Sequence, residues 1–336
     1  MSDKIDVVVS WVNGGDPLHV AKRNQFGTAR DQAHSDASTD TRFGDCGEIY
    51  YCIASILKYA KFINRIWIIT DNQKPEYLPS FADAGLCKPE FIQVVDHRTI
   101  FKGYESALPT FSSLSIESMI WRIPGLAERF VYLNDDFFIN HPLEPGFFFQ
   151  NDKPILRGRM VPPNHRRFGI KLRRYLRDLT FRGPNTRPSF RISQELGSNI
   201  AGYSDSFLLV GHHPHPLRKS VLEEFFENTD DSILQKQISH RFRNVAQYNQ
   251  VSLSNHLEMA KHQANVIAPV GVAYIRPETK NRTSRRTLEN IRNDIEPYGC
   301  IQSLDQCPPN ILENLRLSMT GKFGKYLPAQ IVFEGG

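Results

Sequence analysis

Residues 5–12 read Ile-Asp-Val-Val-Val-Ser-Trp-Val, a nearly continuous run of β-branched and aromatic side chains. Three further runs of the same character follow at Arg65–Thr70, Phe91–Val95 and Phe130–Leu133. Strands that are apolar along their whole length are typical of a parallel sheet covered on both faces. The four segments therefore predict neighbouring strands of an open, mostly parallel sheet.

Apolar residues recur at helical spacing between these strands, at Gly47–Phe62 and Ser112–Arg122. Alternating strands and helices predict the α/β class. Helical patterns return in the second half of the chain, at Ser220–Asn228, Ser232–Phe242, Ser252–His262, Thr283–Asn293 and Asn310–Thr320. We expect one domain over 1–336, made of an α/β core at 1–155, a variable basic segment at 156–200 and a mainly helical part at 201–336.

The composition is that of an ordinary folded protein. With 40% hydrophobic and 23% charged residues in 336, the chain is not disordered as a whole. It has no apolar stretch near the ~18 residues of a membrane helix, and Asp6 interrupts the N-terminal apolar run, so no secretory signal is predicted. Five scattered cysteines without a CxxC pair argue against a disulfide framework and a thiolate zinc site. We expect a reduced, cytoplasmic protein.

Positive charge is concentrated in residues 157–191. This segment holds eleven Lys or Arg and one acid, Asp178, so its net charge is +10. Because the whole chain has a net charge of +5, the remaining residues sum to −5. Arginine outnumbers lysine ten to one there, and aromatic residues are interleaved with the charges. Such a mixture favours an anion-binding surface, although a solvated loop is the alternative.

Polar residues follow each predicted strand. They are Asn13-Gly14-Gly15-Asp16-Pro17, Asp71-Asn72-Gln73, Asp96-His97 and Asn134-Asp135-Asp136. Open α/β sheets bind ligands at the carboxyl ends of their strands, so these residues indicate a polar, metal- or phosphate-binding crevice. Ordinary turns are the alternative at each place, and Gly14-Gly15 matches neither GxGxxG nor a P-loop.

The acidic pair Asp135-Asp136 lies inside the apolar run Phe130–Ile139. Adjacent carboxylates in such a setting are costly unless they are solvated, paired or bound to a cation. Mg²⁺ commonly uses one or two carboxylates together with substrate phosphates. A turn between two short strands is the competing interpretation.

Three histidines lie close together in His212-His213-Pro214-His215-Pro216. The prolines keep the segment extended, so the rings do not share one helix face. We favour one catalytic histidine over a zinc site, and a surface loop remains the alternative. Glu117 lies beside an apolar helical stripe, and on this pattern alone it is expected to be a solvated flank.

Together these motifs resemble the Stealth family, the sugar-phosphate transferases that build capsule and cell-wall polysaccharides in bacteria. The lysosomal-enzyme N-acetylglucosamine-1-phosphotransferase is the animal relative. The resemblance is carried by four regions: IDVVVSWVNGGDP at Ile5–Pro17, a long region at Arg42–Phe138 that includes LPTFSSLSIES and YLNDD, GHHPHP at Gly211–Pro216 with HRFR at His240–Arg243, and CIQSLDQCP at Cys300–Pro308.

The resemblance implies a sugar-1-phosphate transferase with a glycosyltransferase-A-like sheet that binds a nucleotide sugar, with a UDP-linked donor favoured. The family's essential residues fall on Glu117, Asp136, His212, Arg243 and Asp305, with Arg241 as the alternative to Arg243. It implies Mg²⁺ or Mn²⁺ held by Asp136 with Asp135 or Asp305. Substrate contacts are expected at Trp11, Asn13, Gly14, Arg42, Asp45, Asp71, Arg166 and Arg167.

The expected partners are a nucleotide-sugar donor and a glycan or phosphoglycan acceptor, but not nucleic acid. Peripheral contact with the inner face of the membrane is left open. Two rival functions also stay open: a conventional glycosyltransferase that releases the nucleoside diphosphate, and a polyanion-binding protein built around Arg157–Arg191. One departure from the family pattern is Gln306, which follows Asp305 where another acidic or polar residue is common.

Overall fold

The computed structural model describes residues 4–27, 46–166, 189–276, 281–302 and 304–334. The strands are β1 (Ile5–Ser10), β2 (Ile63–Thr70), β3 (Ile92–Asp96), β4 (Arg129–Asn134), β5 (Phe137–Ile139), β6 (Phe149–Gln150), β7 (Lys153–Pro154), β8 (Leu156–Arg157), β9 (Arg159–Val161), β10 (Phe207–Leu209), β11 (His215–Arg218), β12 (Val266–Ile267), β13 (Val272–Ile275) and β14 (Tyr298–Ile301).

Helices connect and cover these strands. They are α1 (Pro17–Phe26), α2 (Glu48–Tyr59), α3 (Ser80–Asp83), α4 (His97–Ile100), α5 (Ser113–Glu117), α6 (Pro145–Phe148), α7 (Phe190–Ile200), α8 (Lys219–Glu227), α9 (Ser232–Ile238), α10 (Gln250–His262), α11 (Asn281–Arg292), α12 (Pro309–Phe323) and α13 (Ala329–Glu334). No helix in the described ranges combines the length and the apolar character needed to cross a membrane.

The central sheet has the order β11-β4-β1-β2-β3. The four predicted strands β4, β1, β2 and β3 are parallel, and β11 joins the edge at β4 in the antiparallel direction. The α/β class is confirmed. The parallel part coincides with the apolar runs because only strands buried on both faces require such continuous hydrophobicity.

Successive residues of β1 belong to opposite layers, as the period of two in a strand requires. Val7 and Val9 pack into one core with Ile49 and Ile53 of α2. Val8 packs into the second core, which includes Trp67 and residues of the loops after β3. Both faces of the central sheet are therefore covered, and its carboxyl edge is left for the polar residues.

A second sheet has the order β13-β14-β5, in which β14 is parallel to β13 and antiparallel to β5. Only two residues, Asp135 and Asp136, separate the end of β4 from the start of β5, so the turn that they form joins the two sheets. Gly299 lies opposite Phe138 in this pairing, and a Cβ on Gly299 would come within 2.0 Å of the Phe138 ring. Glycine is what permits β14 to approach β5 so closely.

Three expectations need correction. Ser112–Arg122 is not one helix, because α5 ends at Glu117 and a separate 3₁₀ turn covers Ile120–Arg122. The part at 201–336 is helical only in part, because β11 and β14 take places in the two sheets. The segment 156–200 contains the unpredicted helix α7, which packs closely on α10 because Gly197 has no side chain.

Gly299→Ala should destabilise the protein by about 1–3 kcal/mol, the usual cost of overpacking, because its new methyl group has no room beside Phe138. The free energy of unfolding would be measured by urea denaturation. Gly321→Ala is the matched control, since a Cβ at this position of α12 has nothing within 4 Å. Equal stability of the two variants would contradict the close β5–β14 packing.

Candidate active site

Two adjoining cavities, of about 300 and 250 Å³, lie at the carboxyl ends of β1, β2 and β4. The larger extends over Trp11, Asp71 and the acidic turn after β4. The smaller lies between α5, β11 and the start of α7. The two share five lining residues, namely Ser113, Asn134, His212, Arg243 and Gln302. The polar strand ends and the histidine segment are therefore brought to one crevice.

The turn between β4 and β5 places Asp135 and Asp136 in the wall of the larger cavity. The Asp136 carbonyl oxygen accepts a 2.9 Å hydrogen bond from the Ile301 amide, and its Oδ2 accepts one from the Cys300 thiol at 3.4 Å. Its Oδ1 is buried without a hydrogen-bond partner in the described part of the chain. Burial raises the pKa of the Asp136 carboxyl to about 6.

This donor set fits a hard divalent cation. A buried carboxylate oxygen without a partner is the kind of group that a cation satisfies, and Mg²⁺ needs few protein ligands when substrate oxygens supply the rest. Within the described residues, no three His, Cys, Asp or Glu side chains converge as a complete metal cluster. The Asp305 side chain lies outside the description, and its backbone is in a 3₁₀ turn at Leu304–Gln306.

Glu117 is 7% exposed at the end of α5, so the expectation of a solvated flank is wrong. Burial raises the pKa of its carboxyl to about 7, while Arg243 and hydrogen bonds from Tyr132 and Ser113 oppose the rise. Arg243 donates a hydrogen bond to the Ser113 hydroxyl. Burial lowers the pKa of the Arg243 guanidinium, and Glu117 counteracts that effect. An acid and a cation are thus held together in the cavity wall.

Arg241 has a different position from Arg243. Its guanidinium donates to the carbonyl oxygens of Pro109 at 2.7 Å and Ser106 at 3.2 Å, and it lies 4.6 Å from the centre of the Phe26 ring. These contacts tie the loop after β3 to α1. Of the two arginines, Arg243 is the one that lines both cavities.

The three neighbouring histidines have separate environments. His212 is exposed and lines both cavities, with its ring stacked on Phe190 at a centroid distance of 4.5 Å. Partial desolvation of the ring by the surrounding cavity wall and the nearby Arg243 charge lower its pKa below the ordinary 6.5, so the neutral form dominates at pH 7. His213 is buried and stacks on Tyr298 at 6.2 Å. His215 pairs with β4 in the sheet.

The predicted substrate contacts divide into two groups. Trp11 and Asp71 line the larger cavity, where Asp71 also pairs with Lys22 at 2.9 Å. Asn13 and Gly14 lie in a turn outside both cavities. The Asn13 backbone there exchanges hydrogen bonds of 3.0 and 2.9 Å with the Gln73 side chain. Asn13 and Gly14 therefore form a turn, and their role as substrate contacts stays a prediction.

Cations at the two ends of the basic segment make internal contacts. Arg166 pairs with Asp205 at 2.6 Å, away from the cavities. Arg157 is buried and donates to the Phe147 carbonyl oxygen at 2.6 Å, and Arg191 donates to the Pro162 carbonyl oxygen at 2.8 Å. Arg42, Asp45 and Arg167 lie outside the described residues. The anion-binding role of the segment stays a prediction, and Arg157 is excluded from such a surface because it is buried.

Several cavity residues were not predicted as site residues. They are His19, Glu48, Ser113, Tyr132, Tyr274 and Gln302, whereas His97 was expected at the crevice only as a polar strand end. His97 directly follows β3, and burial lowers its pKa to about 4. Tyr274 and Gln302 belong to or follow strands of the second sheet, which the sequence analysis did not detect. The short runs Val272–Ile275 and Tyr298–Ile301 were the available signal.

Replacing Glu117 by Gln should change stability in a pH-dependent way. The folded pKa of about 7 lies above the ordinary value of 4.5, so the stabilising contribution of this carboxyl is complete below pH 4.5 and is lost as the pH rises through 7. Between pH 5 and pH 8, the unfolding free energy of Glu117→Gln should therefore rise by about 2–3 kcal/mol relative to the wild type. Urea denaturation at both pH values measures this, and a difference independent of pH would refute the raised pKa.

The sequence matches two regions of a described protein family. Stealth protein conserved region 1 matches residues 3–31, and Stealth protein conserved region 2 matches residues 42–156. The second match contains Glu117, Asp135 and Asp136. His212, Arg243 and Asp305 lie beyond both matched regions, so their assignment still depends on the motifs and on the geometry.

Curated relatives match over different lengths. Receptor polysaccharide phosphotransferase WefC of Streptococcus oralis is 30% identical over 266 residues, which are 74% of this chain and 76% of the relative. Capsular polysaccharide phosphotransferase cps1A of Actinobacillus pleuropneumoniae is 41% identical over 147 residues, 44% of this chain and 38% of the relative.

A solved structure, mouse xyloside xylosyltransferase 1 in its apo form, aligns with 88% of this chain and 97% of its own. Its TM-score of 0.35 and 12% identity are too low to support an inference. The assignment depends instead on the two matched regions and on the long alignment with WefC. On this evidence the chain belongs to the Stealth family of polysaccharide phosphotransferases and is an enzyme.

Proposed function

We propose that this enzyme transfers a hexose- or N-acetylhexosamine-1-phosphate from a nucleotide sugar, with a UDP-linked donor favoured, to a hydroxyl of a growing capsular or cell-wall glycan. The product is a phosphodiester, and the nucleoside monophosphate leaves. The observation that carries the proposal is that Arg243, His212 and the Asp135-Asp136 pair line one crevice, with Glu117 buried in its wall.

Phosphoryl transfer depends mainly on positioning and on neutralising charge at the phosphate oxygens. Arg243 is suited to this because its guanidinium is anchored on Ser113 and lines both cavities. Glu117 has a pKa of about 7, so its protonated form leaves the Arg243 charge uncompensated. The pair can therefore present a positive group to an anionic donor near neutral pH.

The carboxylates of Asp135 and Asp136 would hold Mg²⁺ or Mn²⁺, with Asp305 as a further candidate ligand. When bound, the cation would supply positive charge to the oxygens of the donor diphosphate. Support for this part of the proposal comes from the buried Asp136 Oδ1, which has no hydrogen-bond partner among the described residues.

His212 would act as the general base. Its ring is neutral at pH 7 and stacks on Phe190, so one ring nitrogen carries a lone pair that would accept the proton of the acceptor hydroxyl. The acceptor oxygen forms a bond to the phosphorus that carries the sugar. The bond from that phosphorus to the nucleotide breaks, while the sugar–oxygen bond survives.

We place the reaction in the cytoplasm, where the enzyme would act on a glycan or phosphoglycan acceptor. Peripheral contact with the inner face of the membrane is compatible with this proposal. The part of the basic segment between Arg166 and Arg191 is the proposed contact for an anionic acceptor. Concentrated arginine attracts such a chain in a salt-dependent manner. Arg157 is not part of this contact, because it is buried.

The identity of the released nucleotide tests the proposed reaction. With UDP-sugars, an acceptor glycan and Mg²⁺, we expect UMP and a product that contains one phosphorus for each transferred sugar, because attack is at phosphorus. Chromatography of the nucleotide and ³¹P NMR of the product measure both. Release of UDP with a phosphorus-free glycosidic product would establish a conventional glycosyltransferase instead.

His212→Ala should lower kcat by roughly 10²–10⁴-fold, the usual scale for a general base, with little change in Tm because the ring is exposed. His213→Ala is the comparison variant. It should mainly lower Tm, because His213 is buried against Tyr298. Near-normal turnover in His212→Ala, with lost turnover in folded His213→Ala, would show that His213 and not His212 is the general base.

A further inference from the structure

Strand β14 contacts Asp136 at two successive residues. The Ile301 amide donates to the Asp136 carbonyl oxygen at 2.9 Å, and the Cys300 thiol lies 3.4 Å from Oδ2. Cys300 is also the register partner of Phe137, the residue after Asp136. Backbone and side chain of Asp136 are therefore both fixed by the same strand, across 164 positions of sequence.

We propose that Cys300 is a positioning residue that orients the Asp136 carboxylate towards the cation. The inference rests on the proposed function, because it assumes that Asp136 binds the metal. The thiol donates its hydrogen to Oδ2 and so occupies one carboxylate oxygen, while Oδ1 remains without a partner in the described residues. A carboxylate held by one oxygen can present the other in a fixed direction.

A second contact holds the sulfur in place. The Tyr274 hydroxyl lies next to the Cys300 sulfur, and its single hydrogen is donated to the Gln302 side-chain oxygen. Tyr274 and Gln302 both line the larger cavity beside Asp136. The thiol is thus part of a connected polar group at the cavity wall, and Cys300 itself is 1% exposed. Water cannot easily replace a donor at such a buried position.

Simple packing is the alternative role for Cys300, and Cys52 provides a comparison. Cys52 is also fully buried in the same core, near enough for Asp135 and Asp136 to raise the pKa of its thiol. No hydrogen bond between the Cys52 thiol and either carboxylate occurs in the part of the chain that is described. The two cysteines therefore differ in the hydrogen bond to Asp136 rather than in burial.

The test measures binding of Mn²⁺ to the full chain. Electron paramagnetic resonance of the free ion gives the Kd. Partners that orient metal ligands typically contribute 10–100-fold to affinity, so Cys300→Ala should raise the Mn²⁺ Kd at least roughly 10-fold. Cys300→Ser retains a donor and should restore most of the affinity. Cys52→Ala should bind like the wild type, and Tm of every variant separates loss of binding from loss of folding.

The turnover number kcat of the variants gives a second measurement of the positioning role. Raising the Mn²⁺ concentration should bring kcat of Cys300→Ala back towards the wild-type value, because the carboxylate is misoriented rather than absent. If Cys300→Ala does not fold, Tyr274→Phe is the substitute variant, because it removes the hydroxyl next to the Cys300 sulfur. Tyr274→Phe should also raise the Mn²⁺ Kd.

Asp136→Asn distinguishes the two ways of failing. Unchanged Mn²⁺ affinity in folded Cys300→Ala, together with lost affinity in Asp136→Asn, would overturn the positioning role and leave the metal site standing. Unchanged affinity in Asp136→Asn would overturn the metal assignment and the role of Cys300 with it. Equal weakening in Cys300→Ala and Cys52→Ala would show that packing alone is responsible.

Discussion

The pairing of β5 with β14 is the constraint on which the crevice depends. Only two residues separate β4 from β5, so this pairing holds the Asp135-Asp136 turn against a strand from the far end of the chain. The absent side chain at Gly299 permits the approach, and the Ile301 amide fixes the backbone of Asp136. Without that contact the two carboxylates would sit on a free turn, where water would satisfy them.

Burial gives the crevice its electrostatic character. It raises the pKa of Asp136 and of Glu117 and lowers that of His212, so each of the three is shifted towards its neutral form. Without a ligand, this arrangement limits the cost of placing several ionisable groups together. A cation and an anionic donor would supply the missing charges, which is the physical basis on which we connect the site to phosphoryl transfer.

Residues of the same type that are close in sequence have different roles around the crevice. Arg241 ties loop carbonyl oxygens together, whereas Arg243, two positions later, lines both cavities beside Glu117. His213 is buried against Tyr298 and lines the smaller cavity, whereas His212 is exposed and lines both cavities.

The sequence by itself determined the four parallel strands, since only doubly covered strands need such continuous apolar runs, and with them the edge at which polar residues collect. The burial of Glu117 could not be read from its own helix, because the covering residues come from elsewhere in the chain. Only the tertiary structure shows that His212 and Arg243 line both cavities. It alone brought Cys300 to Asp136, because that contact depends on strand pairing between residues 164 positions apart, for which local periodicity carries no signal.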